Sequence, residues 1–551
     1  YQHANRGKET EAYYLPGKTI YGTQSRTYST AQTRTAAHAK LDYKPAPAHK
    51  LTWYGGYMDM KEQQVRDMAD DKSGSTRLRY THQYIFSTTL QGTHRFGSSG
   101  LELEWKGAYS KALSETPDQA ELNFIGTHIA NTGSATRRWE HNDDRDLAGH
   151  LDLRYSHGLM TYSVGGMYRD KKRGSFFNEY TFDSTTGTAA PQYRGEDWNN
   201  FDELKLKPRL YGNIGDPLNY DATEQIGAAY AMAKAKGKRW NATVGVRAEH
   251  TMQGYTLIFP RDSDPDGEQS YTDILPSAHF KYEIHPKGRL HLSYNRSVNR
   301  PSFFEIVPYT IINEDYKEKG NPDLEHTVAD NIDLRYEFFP KGSEQVMVGL
   351  FYKHLHNPIE YGLINEGQDT YYKPMNLGNA TNTGVEIDVI KNFKCFGVKA
   401  NYTFTHSRIT TSKRTMQGSE VISVNQSRPL FGQAAHVANV SLLYKSSRWH
   451  WEGQISYGYT GKRLSDISNW LDDDIWEKGY HRLDLSLEKG FPKAGITLFA
   501  KASNLLNTPV VRIVGRGDHT ATVDTPRDNG YVIERKEWHG QSFMLGLRWK
   551  L

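Results

Sequence analysis

Residues 262–273 carry the chain's most specific ligand-like spacing. Asp262, Asp264 and Asp266, then Gly267, then Asp273 at the twelfth position, follow the pattern of an EF-hand calcium loop with Asp in place of the final Glu. Carboxylates at alternate positions around a glycine turn suit Ca2+, a hard cation that takes oxygen ligands. Pro265 is unusual in such a loop, so a solvated acidic turn is the plainer reading. Asp472, Asp473 and Asp474 form a second acidic run with less pattern and read as solvated surface.

A different chemistry follows Arg169. Lys171, Lys172, Arg173, Phe176, Phe177, Tyr193, Arg194 and Trp198 mix cations with aromatic rings. That mixture suits an anionic ligand such as a ferric chelate, or the phosphates of surface lipopolysaccharide. An ordinary charged loop is the competing reading. Phe303, Phe304, Tyr309 and Tyr316, just after Arg300, could stack on a planar or amphipathic ligand, or belong to an aromatic girdle. No GxSxG, HExxH, Walker A or GxGxxG string is present, so no enzyme is expected. The single cysteine, Cys395, excludes an intramolecular disulfide framework and reads as a small buried or lipid-facing residue.

Composition limits what can position these groups. A chain of 551 residues with 37% hydrophobic residues and a mean hydropathy of -0.74 is a poor recipe for several soluble cores, yet it holds 36 tyrosines. The longest apolar run, Val346 to Tyr352, is far short of the roughly 18 residues a spanning helix needs. A transmembrane β-barrel fits both facts. Only every second residue faces lipid, which keeps hydropathy low, while aromatic girdles raise the tyrosine count. A net charge of +4 without long single-sign runs makes nucleic acid an unexpected partner.

Period-two alternation recurs from about residue 38 onward, in pairs of stretches joined by short polar turns. The last stretch is the clearest: Phe543, Leu545, Leu547, Trp549 and Leu551 share one face, and Ser542, Met544, Gly546, Arg548 and Lys550 the other. Lipid outside and water inside produce such a strand. Nine descending and ascending pairs, with first members near residues 38, 86, 148, 221, 274, 328, 377, 436 and 481, precede that terminal strand. An antiparallel bacterial barrel usually needs an even number, which places at least one further strand in or before residues 1–37. Long polar connections, about 37 residues after Ser110 and about 50 after Arg169, read as extracellular loops. The chain opens in Tyr1-Gln2-His3 without a signal peptide, so its true start is expected upstream. The fold expectation is all-β: residues 1–551 form one transmembrane antiparallel barrel domain, with about 22 strands in the full protein.

Several strings resemble those of TonB-dependent outer-membrane receptors, in particular the Bacteroidetes set, and they run in that family's order. Ala228-Ala229-Tyr230 followed by Gly245-Val246-Arg247-Ala248-Glu249-His250-Thr251 resembles its "aaY … GvRyE.T" hairpin. Leu275-Pro276-Ser277 and Leu292 to Ser302 follow, the latter containing Arg300-Pro301. Gly320-Asn321-Pro322-Asp323-Leu324 resembles the "GNPxL" box, Thr383-Gly384-Val385-Glu386 the "GvE" strand, and Ala502 to Asn507 the "vxNLfN" strand. Arg300-Pro301 and Asn321-Pro322 bracket one extracellular loop, where proline ends a strand and asparagine satisfies freed backbone groups; they shape the loop or touch its ligand.

The resemblance implies an active transporter of the bacterial outer membrane, set among lipid and lipopolysaccharide. Its loops capture a scarce small-molecule cargo, a metal chelate such as a ferric siderophore leading, and TonB displaces an N-terminal plug that this sequence does not contain. A haem receptor of this kind would place a histidine between the two boxes; residues 302–320 hold none and His326 lies just beyond. The rival expectations are a passive or gated porin, and a structural barrel docking a surface lipoprotein or assembly complex.

Overall fold

The computed structural model describes residues 2–13, 22–97, 99–186, 205–209, 218–260, 264–366, 369–515 and 527–549. Alternating residues become antiparallel ladders because a strand exposes its two sides to different solvents, and short turns let successive strands pair. On the tall side of the wall the turn-joined pairs are Gln24–Ala46 with His49–Ala69, Ser73–Phe96 with Leu101–Ile125, and Ala135–His157 with Met160–Ser184. Next come Tyr220–Lys236 with Trp240–Leu257 and Asp266–His285 with Gly288–Asn299. The shorter side holds Thr327–Phe338 with Gln345–His356, Ala380–Phe393 with Phe396–Gln417, His436–Ser446 with Trp451–Thr460, and Tyr480–Phe491 with Ile496–Ser503.

These nine pairs contain the nine that the alternation predicts. With Gln2–Ala12 and the last strand, interrupted between Tyr531–Trp538 and Ser542–Trp549, they make twenty wall strands among the described residues. The further strand required near the start is therefore Gln2–Ala12; the expected 22 are not reached within these residues. Neighbour follows neighbour round the wall, and Gln2–Ala12 is hydrogen-bonded to the last strand through four pairs, from Glu9 with Trp538 to Ala12 with Arg535.

The long loop read after Ser110 is largely strand, and so is the described beginning of the one read after Arg169. Leu101–Ile125 and Met160–Ser184 each run 25 residues, so the first connection shrinks to residues 126–134 and Arg173 and Phe176 sit in a ladder. About 9–11 residues of a tilted strand cross the hydrocarbon. The rest projects outward with water on both faces, and the apolar/polar alternation that marks a strand disappears there. Leu147, Leu151, Leu153 and Tyr155 face outward in the apolar band, while Thr136 and Arg138 on the same strand line the interior. Cys395 lies exposed at the turn between Phe393 and Phe396.

This geometry sets an expected contrast. Leu151→Arg, on the lipid face near mid-membrane, should cost about 2–4 kcal/mol. The same change at outward-facing Phe176, above the band, should stay within about 0.5 kcal/mol. Denaturant titration in lipid vesicles measures both, and equal costs would refute a wall that extends beyond the membrane.

Candidate functional site

The connection between Gly288–Asn299 and Thr327–Phe338 turns inward. Ser302 caps a short helix, Phe303–Ile306, through a reciprocal capping box with Glu305. Two three-residue strands, Thr310–Ile312 and Lys317–Lys319, then form a hairpin with residues 313–316 at its tip. Lys317–Lys319 pairs in parallel with Asp369–Asn376, which pairs with Ile359–Glu366, which pairs in parallel with Arg463–Ser468 at the top of the wall. Two inward loops and one wall strand thus share a small second sheet.

The sequence boxes anchor this loop. Glu249 accepts from Arg247 at 2.5 Å and from Arg300 at 2.5 Å, and Arg300 also donates to the Thr251 hydroxyl at 3.0 Å. Gln253 donates to the Pro301 carbonyl at 2.8 Å and Asn321 to the Pro374 carbonyl at 2.9 Å. Gly320 packs so close to the Val307 carbonyl that any Cβ would collide with it, which is why glycine opens that box. His326 stacks on Tyr271 at 3.8 Å between ring centroids and pairs with Asp273 at 3.0 Å. Phe303, Ile306, Val307, Tyr309, Ile311 and Leu324 bury themselves against the inner wall residues Phe177, Tyr220, Ala222, Tyr255 and Leu257.

The tip reaches the opposite wall. Along the ladder its parent strands lie half-way round from those that receive it. Glu314 accepts from Arg66 at 2.8 Å and from the Tyr28 hydroxyl at 2.7 Å, with Arg77 at 3.8 Å. Asp315 sits between Arg26 and Arg535, each at 2.8 Å. Arg66 also holds Glu121 at 2.6 Å, and Arg138 donates to the Ile312 carbonyl at 3.0 Å. Burial alone would raise both tip carboxyls. Arg77, Arg66 and Arg26 instead hold Glu314 down at about 2, and Arg535 with Arg26 keeps Asp315 well below the carboxylate range. Beneath the tip lies a polar cavity of about 2040 Å³, lined by Arg66, Arg77, Arg79, Arg138, Glu314 and residues of the first and last strands.

Of the expected site residues, the structure gathers Arg300, Phe303, Phe304, Tyr309 and Tyr316 in this loop but not as an open stacking face. Phe303 and Tyr309 are buried, Phe304 packs on Tyr309 at 4.3 Å, and Tyr316 stacks on Tyr372. Burial pushes the Tyr309 and Tyr316 phenols far above their usual range, so they remain hydroxyl donors. Arg173 lies over the Phe303 ring at 5.6 Å and is clasped by Asp144 at 2.6 and 2.7 Å. Phe176, an odd number of residues away, points outward and is exposed. Tyr193, Trp198 and Asp262 lie outside the described residues.

The described part of the calcium spacing is not drawn together. Asp266 and Asp273 are on one extended strand, seven residues or about 23 Å apart and on opposite faces, so they cannot share an ion. Asp264 and Asp266 are exposed while Asp273 is buried beside His326. Asp474, read as solvated surface, is buried against Lys413 at 2.7 Å; near it Arg428 and Glu360 form a second buried pair at the root of the other inward loop. Arg26, Arg66, Arg77, Arg535, Glu314 and Asp315 escaped the sequence reading. The adjacent acids between the two boxes were a visible signal; their partners were not.

Comparison with known proteins places this architecture. The model of the outer membrane protein beta-barrel family matches residues 94–549. Similar solved structures include the siderophore receptor PiuA from Acinetobacter baumannii, at 11% identity and a TM-score of 0.57, covering 99% of this chain and 81% of that one. The ferric yersiniabactin uptake receptor FyuA from Yersinia pestis shares 13% identity, with a TM-score of 0.54 and coverages of 98% and 80%. The FrpB iron transporter from Neisseria meningitidis shares 10%, with a TM-score of 0.52 and coverages of 98% and 81%. At these identities the likeness is one of fold. No curated protein sequence matches.

The depressed tip carboxyls fix the pH response of the docked tip. Carboxylates whose folded pKa lies below the unfolded value stabilise the docked tip fully above about pH 4.5, and lose that contribution only as pH falls toward 2. A dye on Asn313→Cys, in a Cys395→Ser background, should keep one signal from pH 7 to 5 and change only in strong acid. A transition near pH 6 would show that a histidine holds the tip instead.

Proposed function

The chain belongs to the outer membrane protein beta-barrel family, and from that premise we propose that it is an active transporter, a TonB-dependent receptor that captures a scarce nutrient and imports it. The observation that carries this reading is the roof. Two loops leave the outer rim, pair with one another and close over a wide polar lumen, with one end anchored by apolar burial and the other held by ion pairs. A passive pore gains nothing from such a cover, whereas a receptor needs a ligand-facing surface whose release can be coupled to passage.

The cargo class is a metal chelate, a ferric siderophore in the leading case. The support is the cationic inner wall, where Arg66, Arg77, Arg79 and Arg138 face the cavity, together with the resemblance of the loop boxes. Ferric chelates commonly carry carboxylate or other anionic oxygen groups, and guanidinium forks recognise those by paired hydrogen bonds. TonB would act through a plug within the lumen. The loops and wall supply binding and gating, and the chain itself carries out no bond chemistry in this reading.

Transport is tested in cells that carry the full-length protein and are fed radio-iron chelates. Uptake should require both TonB and a proton-motive force, and should fall several-fold when either is removed. Undiminished uptake in a TonB-deficient strain, together with large steady conductance in planar bilayers, would sink the proposal in favour of a pore.

A further inference from the structure

The arginine cluster under the hairpin tip holds more donors than the two tip carboxylates engage. Arg66 and Arg77 are buried, at 2% and 9% exposure, and their Nε atoms, with that of Arg79, are buried without an acceptor. A guanidinium offers five N–H groups in a fixed fork suited to carboxylate and phosphate oxygens. Burying several side by side is costly unless anions compensate them. Glu121 compensates Arg66 and Glu534 compensates Arg535 from the wall, and further compensation comes from the tip of a hairpin of two three-residue strands tethered half-way round the ring.

The cluster is also continuous with the lumen. Arg66, Arg77 and Arg79 line the same cavity as Glu314, so an anion within it meets the guanidinium groups without crossing the apolar anchor. Glu314 and Asp315 keep 23% and 17% of their side chains accessible, which leaves them open to exchange. Their two adjacent carboxylates present the groups of a multivalent anion, spaced along one short turn.

We propose that this cluster is a binding site for a multivalent oxyanion carrying two or more carboxylate or phosphate groups, and that the Glu314–Asp315 tip is its built-in competitor. The tip fills the site at rest; an entering anion takes over Arg26, Arg66, Arg77 and Arg535 and frees the hairpin. Anchor and latch then have separate tasks. The apolar cluster around Phe303 and Tyr309 keeps the loop on the wall strands that carry Phe177, Tyr220 and Tyr255, and the exchange of one set of oxygens for another lifts only the far end. Naming the anion as cargo rests on the transport reading above; the competition itself does not.

The test uses full-length protein in detergent at low salt, with citrate and tripolyphosphate as probes. Glu314→Gln/Asp315→Asn should bind the preferred probe about 10- to 100-fold more tightly than the unaltered protein, because a tip docked for 90–99% of the time lowers apparent affinity by that factor. Arg66→Gln/Arg77→Gln should lose the binding, with Arg79→Gln as the milder variant should the double change fail to fold. The dye at Asn313→Cys should respond to the same probe in the protein with its tip intact. Tighter citrate assigns the site to carboxylates and tighter tripolyphosphate to phosphates. Affinities within twofold of the unaltered protein for both probes, in a tip-neutralised barrel that still migrates as folded, would overturn the proposal. None of these measurements needs an energised membrane. TonB-independent uptake would therefore remove the transport reading and leave the anion site standing, and energised uptake with unchanged affinities would do the reverse.

Discussion

Inside hydrocarbon a backbone N–H or C=O without a partner costs several kcal/mol, and a wall of strands can satisfy all of them only by pairing sideways right round. The rest of this molecule follows from that ladder. Once hydrogen bonds run around the wall, the two faces of each strand become independent, one for lipid and one for water. Leu147, Leu151 and Leu153 can then stand exposed to hydrocarbon on a strand whose alternate residues, Asp144, Asp146 and Asp152, are charged. The charged interior is a consequence of closure by pairing, because water in the lumen solvates what a packed core could not.

The ladder is uneven in height. The turn-joined wall strands from Gln24 to Ser184 run 21 to 25 residues, while those of the wall from Thr327 to Phe393 run 12 to 14, the inward strands Ile359–Glu366 and Asp369–Asn376 apart. The tall side carries Arg66, Arg77 and Arg138 on its inner face, with Arg26 reaching the loop tip beside them, and the inward loop springs from the opposite arc. A roof can therefore lean from the low side onto the high one. Its two ends are held by forces of different kinds. Each buried aromatic or aliphatic side chain at the anchor contributes roughly 1.5–3 kcal/mol, and no solute in the lumen replaces that. At the tip, removing one partner of a buried ion pair costs about 3–5 kcal/mol, yet exchanging one carboxylate for another costs little. Apolar burial decides where the loop belongs, and ion pairing makes one end of it exchangeable.

Much of this was legible in the residues. Alternation and short polar turns located all nine turn-joined pairs and required at least one further strand in or before residues 1–37, where Gln2–Ala12 lies, and the loop boxes around Arg300 and Asn321 proved to be docking elements. What failed, failed for a definable reason. Above the membrane both faces of a strand meet water, so Leu101–Ile125 and Met160–Ser184 look like loops where they are ladders. A spacing that matches a calcium loop requires the chain to curl, and Asp266–His285 is extended, so its two ends diverge.

The sequence by itself determined the wall, because period-two solvation and hairpin pairing are local: each strand needs only its own residues and the next turn to know its face and its neighbour. It also determined, by the same local chemistry, that an acidic pair would stand between two proline boxes. Only the tertiary structure decided what that pair is for. Glu314 meets Arg66 across 248 positions of chain, and Asp315 meets Arg26 across 289 and Arg535 across 220. No local pattern encodes a contact of that range. It exists because the ladder bends round until its far arc comes within reach of one loop, and the charges buried there must then find each other.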